Sequence, residues 1–422
     1  QSLFLDSENN LWIGTYGKGL IKYADQRFYT VKFNYLGLPA PVSALAWFNT
    51  KYYAGTSSGL YEIRTDAQGQ VALYFVGDSL GLPKAPVSFM ITHDNTLFVV
   101  TNRHDLFVLT AGAKSKSLSI PFRNVNTVIN DVTSSLHELY FATSEGLFIY
   151  NFGSSEFTVY NTENGLLHNN VKTAVRDSKG RIWITSPQSK ISYLDDEGIH
   201  TIDALSDDRP YLVHCVLEDP KGNIWMGTDG DGLLLYNGIS VQEITVDSGL
   251  SSNYIYSLCL AADNSIWAIH NRSLSRIKYT GGIQSYSSPQ DFSSREFISS
   301  SVMNLQGGQI FFGTSAGILV YDMGSDYPNP RGPYCSITSS RFNNQTFLPG
   351  EAIDLGYSKY NVQFDFLGIS HRDPTKLIYK YNLDASASQI IISHTGFNNG
   401  IYFYKISVNG KIIKADKLLI IK

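Results

Sequence analysis

The sequence predicts an all-β protein, in which a seven-bladed β-propeller with eight visible repeats precedes a small Ig-like β-sandwich. Three observations predict this fold. One short phrase recurs at a nearly constant interval, short apolar runs alternate with polar turns, and no segment keeps the 3.6-residue apolar period of a helix. Of the 422 residues, 43% are apolar, 13% aromatic and only 17% charged, and 35 are Gly. This composition excludes intrinsic disorder, because ample apolar surface is available for a core.

The recurring phrase reads Trp-Ile-Gly-Thr, followed after a short turn by Gly-Leu, and is clearest at Trp12 to Thr15. Successive copies are 41 to 45 residues apart, and four of the five Trp residues occupy the same slot. A period of this length is typical of propellers and other repeat folds. The eight copies end at Thr15, Thr56, Thr101, Thr143, Ser186, Thr228, His270 and Thr314.

One repeat, Tyr211 to Ile244, illustrates the strands. Apolar runs separated by polar, Gly-containing turns predict four short antiparallel strands, which is the blade of a propeller. The predicted strands are Leu212 to Leu217, Ile224 to Thr228, Leu233 to Tyr236 and Val241 to Thr245.

The last repeat lacks its fourth strand. It supplies Ser299 to Leu305, Ile310 to Thr314 and Ile318 to Tyr321, and Phe28 to Phe33 is expected to complete it from the other end of the ring. Closure of this kind removes an exposed sheet edge. It gives a seven-bladed propeller over residues 28–326 and leaves residues 1–27 as a partial blade, a remnant of a preceding propeller. An eight-bladed ring that uses every copy is the alternative.

Residues 327–422 follow the last repeat and predict an Ig-like β-sandwich, because about seven strands in about 90 residues suit such a module. The predicted strands are Tyr334 to Phe342, Ala352 to Leu355, Val362 to Leu367, Leu377 to Leu383, Gln389 to Ile392, Ile401 to Val408 and Lys411 to Ile420.

Charge and cysteine content exclude several classes of protein. With 37 acidic and 33 basic residues the net charge is -4, and the lack of any basic block argues against nucleic-acid binding. Three Cys residues form no disulfide framework and no CxxC zinc motif. Counting back four residues from Asp219 and Asp263 places Cys215 and Cys259 at one register of successive inner strands, as two buried free thiols. No run of 18 apolar residues predicts a membrane helix, and no signal peptide is seen, so a mature form or a fragment is expected.

The repeat phrase resembles the two-component regulator propeller repeat, most clearly at Asp6 to Thr15 and Asp219 to Thr228. The linking phrase at Gly37 to Pro39 matches as well. Phe364 to Ser370 and Tyr379 to Asp384 resemble the triple-tyrosine (Y_Y_Y) domain, although the Trp-containing stretch that usually follows is missing after Asp384. In that family, this domain follows such propellers in the periplasmic sensor half of Bacteroidetes hybrid two-component systems.

The end of the chain is similar to a type IX secretion sorting domain. The similarity lies in Gly400 to Ile406 and Lys417 to Ile420, and the Tyr-Pro-Asn-Pro phrase that often begins this family occurs at Tyr327 to Pro330. This second resemblance implies export to the cell surface.

The resemblances imply a periplasmic or cell-surface ligand-sensing module that passes its signal through the Ig-like domain. They imply an oligosaccharide or other small-molecule ligand, a homodimer through the C-terminal domain, and a membrane reached only through segments outside this chain. No kinase domain and no cofactor are expected, so the chain is not expected to be an enzyme. The alternatives are a secreted scaffold or adhesin exported by the type IX system, or a propeller lyase or hydrolase. An enzyme would need two carboxylates, or a His with a carboxylate, at the channel mouth.

Propeller geometry places the turns between second and third strands, with the links between blades, around one mouth of the central channel. Binding residues concentrate in loops on rigid scaffolds, so the turns that depart from the common form are the candidates. Asp229 and Asp231 could also hold calcium, but an isolated Asp-x-Asp is a weak signal and no metal is predicted. His214 and His270 are expected to be hydrogen-bonded structural residues. The candidate ligand-binding residues are Tyr16, Arg103, His104, Asp105, Gln188, Lys190, Asp229, Asp231, Asn271 and Arg272.

Overall fold

A computed structural model of the chain confirms the all-β propeller fold. It divides into two compact units, one of Arg27–Ser325 and one of Gln1–Gln26 with Asp326–Lys422. Among the residues described, no helix is long and apolar enough to cross a membrane. The structure describes residues 2–6, 10–17, 19–23, 27–32, 34–35, 38–65, 71–102, 105–187, 191–202, 211–287, 296–305, 308–326, 334–342, 345–348, 362–369, 382–383, 390–391, 400–408 and 411–420.

The first repeat forms a three-stranded antiparallel sheet of β1 (Ser2–Leu5), β2 (Leu11–Thr15) and β3 (Gly19–Tyr23). It belongs to the unit that contains the C-terminal residues and not to the ring. That it is the remnant of a preceding propeller stays a prediction.

In its described residues, the ring unit contains the next thirty strands and three short helical turns, α1 (Gly77–Leu80), Val246–Ser248 and Met323–Ser325. The strands are β4 (Phe28–Lys32), β5 (Asn34–Tyr35), β6 (Leu38–Pro39), β7 (Val42–Phe48), β8 (Lys51–Thr56), β9 (Gly59–Thr65), β10 (Val71–Phe75), β11 (Val87–His93), β12 (Thr96–Thr101), β13 (Leu106–Thr110), β14 (Lys116–Leu118), β15 (Ile129–Ser134), β16 (Glu138–Thr143), β17 (Gly146–Asn151), β18 (Phe157–Tyr160), β19 (Thr173–Arg176), β20 (Ile182–Thr185), β21 (Ser192–Asp195), β22 (Gly198–Thr201), β23 (Val213–Glu218), β24 (Ile224–Thr228), β25 (Leu233–Tyr236), β26 (Val241–Ile244), β27 (Ser257–Leu260), β28 (Ile266–Ile269), β29 (Leu274–Ile277), β30 (Ile283–Tyr286), β31 (Phe297–Asn304), β32 (Gln309–Thr314) and β33 (Gly317–Asp322).

Within the described part of the ring, 28 of these strands form seven four-stranded antiparallel sheets, numbered here blades 1 to 7 from β7 onward, and β5 and β6 pair as a separate two-stranded sheet. The inner strands β7, β11, β15, β19, β23, β27 and β31 contact one another in that order, and β31 contacts β7. In blade 7 the outer strand is β4, which pairs with β33 from Phe28↔Tyr321 to Lys32↔Gly317. The predicted closure is therefore confirmed, and the eight-bladed alternative is wrong.

Each blade packs on the next through apolar side chains. Between blades 4 and 5, for example, Trp183 and Met226 have no exposed surface and share a cluster with Val213 and Leu234. Burial of a large apolar side chain stabilises a fold by roughly 1.5–3 kcal/mol. The repeated Trp, Tyr or Phe slot is thus a core position between blades, not a binding position.

The Gly-Thr of the repeat phrase has a packing role and a turn role. A Cβ on Gly227 would lie 2.6 Å from Cys215 Sγ and from Ile255 Cγ2, so only Gly lets the next blade approach. The Thr228 hydroxyl donates to the Gly232 carbonyl at 2.6 Å and accepts from the Asp231 N–H at 3.0 Å. Gly232 has φ 81°, a conformation that favours glycine.

The repeat Asp binds the Trp indole six residues later. The distance from carboxylate to Nε1 is 2.8 Å for Asp177 with Trp183 and 2.9 Å for Asp219 with Trp225. In blade 6 this slot holds Ala261, and Trp267 Nε1 is a buried atom without a hydrogen-bond partner in the described structure.

The predicted shared register of the two cysteines is therefore wrong. Asp263 lies two residues beyond the Asp slot and hydrogen-bonds Arg276 Nη2 at 2.5 Å instead. Accordingly, Cys215 pairs with Gly227, whereas Cys259 pairs with Trp267, two positions apart in the repeat. Both thiols are free, but only Cys259 is a buried residue and Cys215 is half-buried.

After the ring, the described residues form further strands and no helix. These are β34 (Tyr334–Phe342), β35 (Gln345–Phe347), β36 (Val362–Ile369), β37 (Asn382–Leu383), β38 (Ile390–Ile391), β39 (Gly400–Val408) and β40 (Lys411–Ile420). They pair as one three-stranded sheet, β35-β34-β36, and two hairpins, β37-β38 and β39-β40. The predicted strand Ala352 to Leu355 and the Tyr379 to Tyr381 part of the triple-tyrosine motif lie outside the described residues.

Candidate functional site

One end of the ring is built by the starts of the inner strands and the turns between second and third strands. In blade 5, Val213 at the start of β23 pairs with Thr228 at the end of β24. The turn that follows is tied to the link entering blade 6, because the N–H groups of Gly230 and Gly232 both donate to the Asn253 carbonyl, at 3.2 and 3.0 Å. Turns and links therefore share one face, which we call the mouth face.

The structure describes six of the ten candidate residues. Asp105, Asp229, Asp231, Asn271 and Arg272 lie in second-to-third turns of blades 2, 5 and 6 on the mouth face. Tyr16 is fully exposed in the β2–β3 turn, but it belongs to the other unit. Arg103, His104, Gln188 and Lys190 lie outside the described residues.

Asp229 is the candidate residue that is contacted through both its backbone and its side chain. Its N–H donates to the Leu212 carbonyl at 2.9 Å, its backbone pairs with that of Tyr254, and its carboxylate Oδ1 lies 3.6 Å from His214 Nε2. The Asp229 side chain is about one third exposed. It can therefore accept hydrogen bonds from a ligand while its backbone is held by two blades.

The turn of blade 6 is already tied to blade 7. Arg272 Nη2 donates to Glu296 Oε1 at 2.8 Å, and the Asn271 carbonyl accepts the Phe297 N–H at 2.9 Å. Both charged side chains are more than half exposed, so the pair contributes little to stability. It does neutralise the guanidinium that would otherwise attract an anionic ligand to this turn.

A feature that the sequence analysis missed is a β-bulge near the start of several inner strands. The bulged residues of blades 1, 2, 3 and 5 are Ser43, Ser88, Asn130 and His214. Where their contacts are described, these side chains reach the next blade, as when Asn130 Nδ2 donates to the Val171 carbonyl at 2.6 Å and to Asn170 Oδ1 at 3.0 Å. Bulges redirect side chains in this way. The only signal in the sequence is a polar residue early in an apolar strand.

The two histidines behave differently. His270 is hydrogen-bonded through both ring nitrogens, as expected. For His214 the expectation is wrong, because its Nε2 is buried and has no hydrogen-bond partner in the described structure. The His214–Asp229 pair is the kind that an enzyme would need at the mouth. At 3.6 Å, the distance from His214 Nε2 to Asp229 Oδ1 is longer than a hydrogen bond, so the carboxylate does not orient the imidazole in this structure.

Below the mouth, a carboxylate joins opposite sides of the ring. Asp131 of blade 3 accepts hydrogen bonds from Thr173 Oγ1 of blade 4 at 2.7 Å and from Ser300 Oγ of blade 7 at 3.2 Å. Ser300 can reach across because Phe297 and Val302, successive partners of β32, are separated by four unpaired residues. Burial raises the pKa of the Asp131 carboxyl, and burial likewise raises that of the Cys215 thiol. The Ser300 contact therefore crosses the ring from blade 7 to blade 3.

Metal binding gains no support from this geometry. No three His, Cys, Asp or Glu side chains of the described residues lie close enough together to hold a metal ion.

Comparison with known sequences gives a family match in two segments. Residues 1–17 and 208–230 match the family described as two component regulator propeller. A relative described as histidine kinase P4, from Formosa agariphila, is 24% identical over 266 residues, which are 54% of this chain and 19% of the kinase. The resemblance of the repeat phrase is confirmed in these segments, while the triple-tyrosine and sorting-domain resemblances stay predictions.

Solved structures share the fold. One is described as the extracellular domain of the hybrid two component system BT3049 from B. thetaiotaomicron. It matches 99% of this chain with a TM-score of 0.67 at 18% identity, and this chain spans 60% of it. A catalytically inactive virginiamycin B lyase from Staphylococcus aureus, with quinupristin, matches 69% of this chain and 98% of its own at 12% identity, with a TM-score of 0.54. Identities this low establish the fold alone.

Proposed function

We propose that this chain is the extracytoplasmic ligand-sensing module of a two-component signalling regulator. The match of residues 1–17 and 208–230 to the two component regulator propeller family is the observation that carries the proposal. The similarity to part of a histidine kinase and the shared fold with an extracellular domain of a hybrid system support it. The module would lie in the periplasm or at the cell surface.

In this proposal the ligand is a small molecule, an oligosaccharide, held on the mouth face by the turns of the ring. Residues 327–422 relay its binding and provide the surface for a homodimer. The chain binds and does not catalyse, and phosphoryl transfer takes place in other parts of the regulator.

A thermal-shift screen of the whole chain against defined oligosaccharides tests the proposal. A ligand present at about 100 times its Kd stabilises the folded protein by about 2.7 kcal/mol, so a hit is readily detected. We expect the shift to be smaller in Asp229→Asn, which removes the charge at the mouth. The matched control is Asp94→Asn, which makes the same change at an exposed turn at the opposite end of the ring.

Two results would contradict the proposal. No shift with any oligosaccharide would favour the secreted scaffold or adhesin exported by the type IX system. A shift that Asp94→Asn abolishes and Asp229→Asn leaves intact would place the site on the other end of the ring.

A further inference from the structure

We infer that Tyr254 is the stacking platform of the ligand site, and that the group stacked on it is an uncharged sugar ring. The inference rests on the proposed function and specifies which chemical class the site takes. It starts from an exposed aromatic side chain that the packing of the ring does not account for.

Tyr254 lies in the link between blades 5 and 6, on the mouth face, and is 52% exposed. Three other exposed aromatic side chains of the ring already have a partner against the ring: Trp47 packs on Tyr52 at 4.3 Å between centroids, Arg64 covers Tyr74 at 4.9 Å, and Lys221 covers Tyr279 at 4.3 Å. Neither an aromatic ring nor a cation is stacked on Tyr254 among the described residues. Its ring face is therefore available to a ligand.

The backbone of Tyr254 is held from three sides. It pairs with Asp229, its N–H donates to Ser252 Oγ at 3.1 Å, and its carbonyl accepts the Nδ1–H of His270 at 2.8 Å. The ring lies along Gly230, where even a Cβ would stand 3.6 Å from its atoms. A platform fixed before binding loses little conformational entropy when a ligand arrives, so such a site is preorganised.

The charges around Tyr254 select the ligand class. The adjoining turn carries the carboxylate of Asp229, and the nearest turn of blade 6 has its Arg272 paired with Glu296. An acidic sugar would be repelled, whereas the hydroxyls of an uncharged sugar can donate to Asp229 while its C–H face packs on the tyrosine ring. Ammonium ligands are typically held by a cage of several aromatic rings, and here there is one.

Isothermal titration calorimetry on the whole chain tests this inference with two sets of probes. The uncharged probes are xylohexaose, cellohexaose, laminarihexaose and mannohexaose, and the acidic probes are oligogalacturonate and oligomannuronate. We expect an uncharged probe to bind, Tyr254→Ala to weaken it by about tenfold or more, and Tyr254→Phe to keep most of the affinity. The matched control is Tyr279→Ala, since Tyr279 is 49% exposed but lies in a turn at the opposite end of the ring, and it should bind as the native chain does.

The outcomes separate this inference from the proposed function. If a probe binds with equal affinity to the native chain and Tyr254→Ala, the platform is wrong and ligand sensing stands. If only the acidic probes bind, the ligand class is wrong. If no probe of either kind binds, both fail. Tyr254→Ala could melt at a lower temperature than the native chain. In that case the affinities of Tyr254→Phe and Asp229→Asn for the uncharged probe decide. The inference requires Tyr254→Phe to bind this probe and Asp229→Asn to bind it more weakly than the native chain does.

Discussion

His270 shows how one buried side chain can make the ring sensitive to acid. It stands in a slot that most repeats fill with Thr or Ser, and its ring is almost completely buried. The tautomer is fixed, because Nδ1–H donates to the Tyr254 carbonyl at 2.8 Å and Nε2 accepts the Ser275 hydroxyl at 2.9 Å. Burial lowers the pKa of His270 to about 4, so the folded protein holds the neutral imidazole.

Acid should therefore destabilise the ring through His270. An unfolded chain binds a proton at this residue below about pH 6.5, and the folded chain does so only below about pH 4. The free energy of unfolding should fall as the pH drops from about 6.5 to 4, by about 3 kcal/mol in total, and this contribution is fully present above pH 6.5. Denaturant titrations across this range, followed by tryptophan fluorescence, measure it.

His270→Gln is the variant to compare, because Gln cannot titrate and can still hydrogen-bond the Tyr254 carbonyl. The difference between the native and variant curves isolates this residue from the eight other histidines. Parallel curves between pH 6.5 and 4 would show that His270 is protonated in the folded protein.

At the scale of one element, the turn between the first two strands of blades 4 and 5 depends on its Asp, which is Asp177 or Asp219. Asp219 accepts four hydrogen bonds, from the N–H groups of Lys221 and Asn223, from Asn223 Nδ2 and from Trp225 Nε1, at 2.9 to 3.0 Å. Burial alone would raise the pKa of Asp219, but these donors hold it below its usual value. All four partners are donors, so an isosteric amide must direct its own N–H₂ group toward some of them.

Asp219→Asn should consequently destabilise the ring, by about 1–3 kcal/mol, the typical cost of a polar group left without a partner. Asp94→Asn is the matched control, since Asp94 occupies the corresponding turn of blade 2 with its side chain 85% exposed and should change stability by less than about 0.5 kcal/mol. Urea unfolding followed by tryptophan fluorescence measures both variants, because four of the five Trp residues lie in the ring. Equal midpoints for the two variants would contradict this role of Asp219.

The strands were predictable because each is a short apolar run bounded by turn residues. In blade 5, β24 and β25 coincide with the predicted strands, and β23 and β26 differ by one residue at their ends. The apolar pattern cannot reveal that a strand has shifted by two residues within the repeat. The side-chain period of a strand is two, so such a shift leaves every side chain on the same face of the sheet. The repeat pattern therefore does not distinguish Ala261, which occupies the Asp slot, from a slot at Asp263.

The candidate site was less predictable than the strands. Turns that depart from the repeat pattern stand out in a sequence, and Asp229 and Arg272 lie in such turns. Tyr254 does not stand out, because an exposed and a buried Tyr look alike in a link. Its position beside the turn of blade 5 follows from the contacts of Gly230 with Asn253 and with the Tyr254 ring, which form only when blades 5 and 6 pack.

At the scale of the whole molecule, two contacts of the ring join residues that lie far apart in the chain. The pairing of β4 with β33 was predictable, because the last repeat lacks a strand and the chain start offers one. The contact of Ser300 with Asp131 was not, since inserted residues in a strand give no sign of what they will reach. Together these contacts connect blade 7 to its own outer strand and to blade 3 across the channel.

Burial of Asp131 should give the ring a pH dependence opposite in sign to that of His270. Burial raises the pKa of Asp131 in the folded protein, so the folded chain holds this proton more tightly than the unfolded chain, whose Asp pKa is about 3.9. The free energy of unfolding should then decrease as the pH rises from about 3.9 to the folded pKa, and stay level above it. Asp131→Asn cannot titrate, so its stability relative to the native chain should rise over the same interval.

A double-mutant cycle between Asp131→Asn and Ser300→Ala, measured by urea unfolding at pH 4 and pH 7, completes the test. The two side chains lie in contact, so we expect a coupling free energy of about 0.5–1.5 kcal/mol. The same cycle between Asp131→Asn and Asp94→Asn, whose residues share no partner, should give none. Additive effects of Asp131→Asn and Ser300→Ala would mean that the contact between the four unpaired residues of β31 and Asp131 does not stabilise the ring.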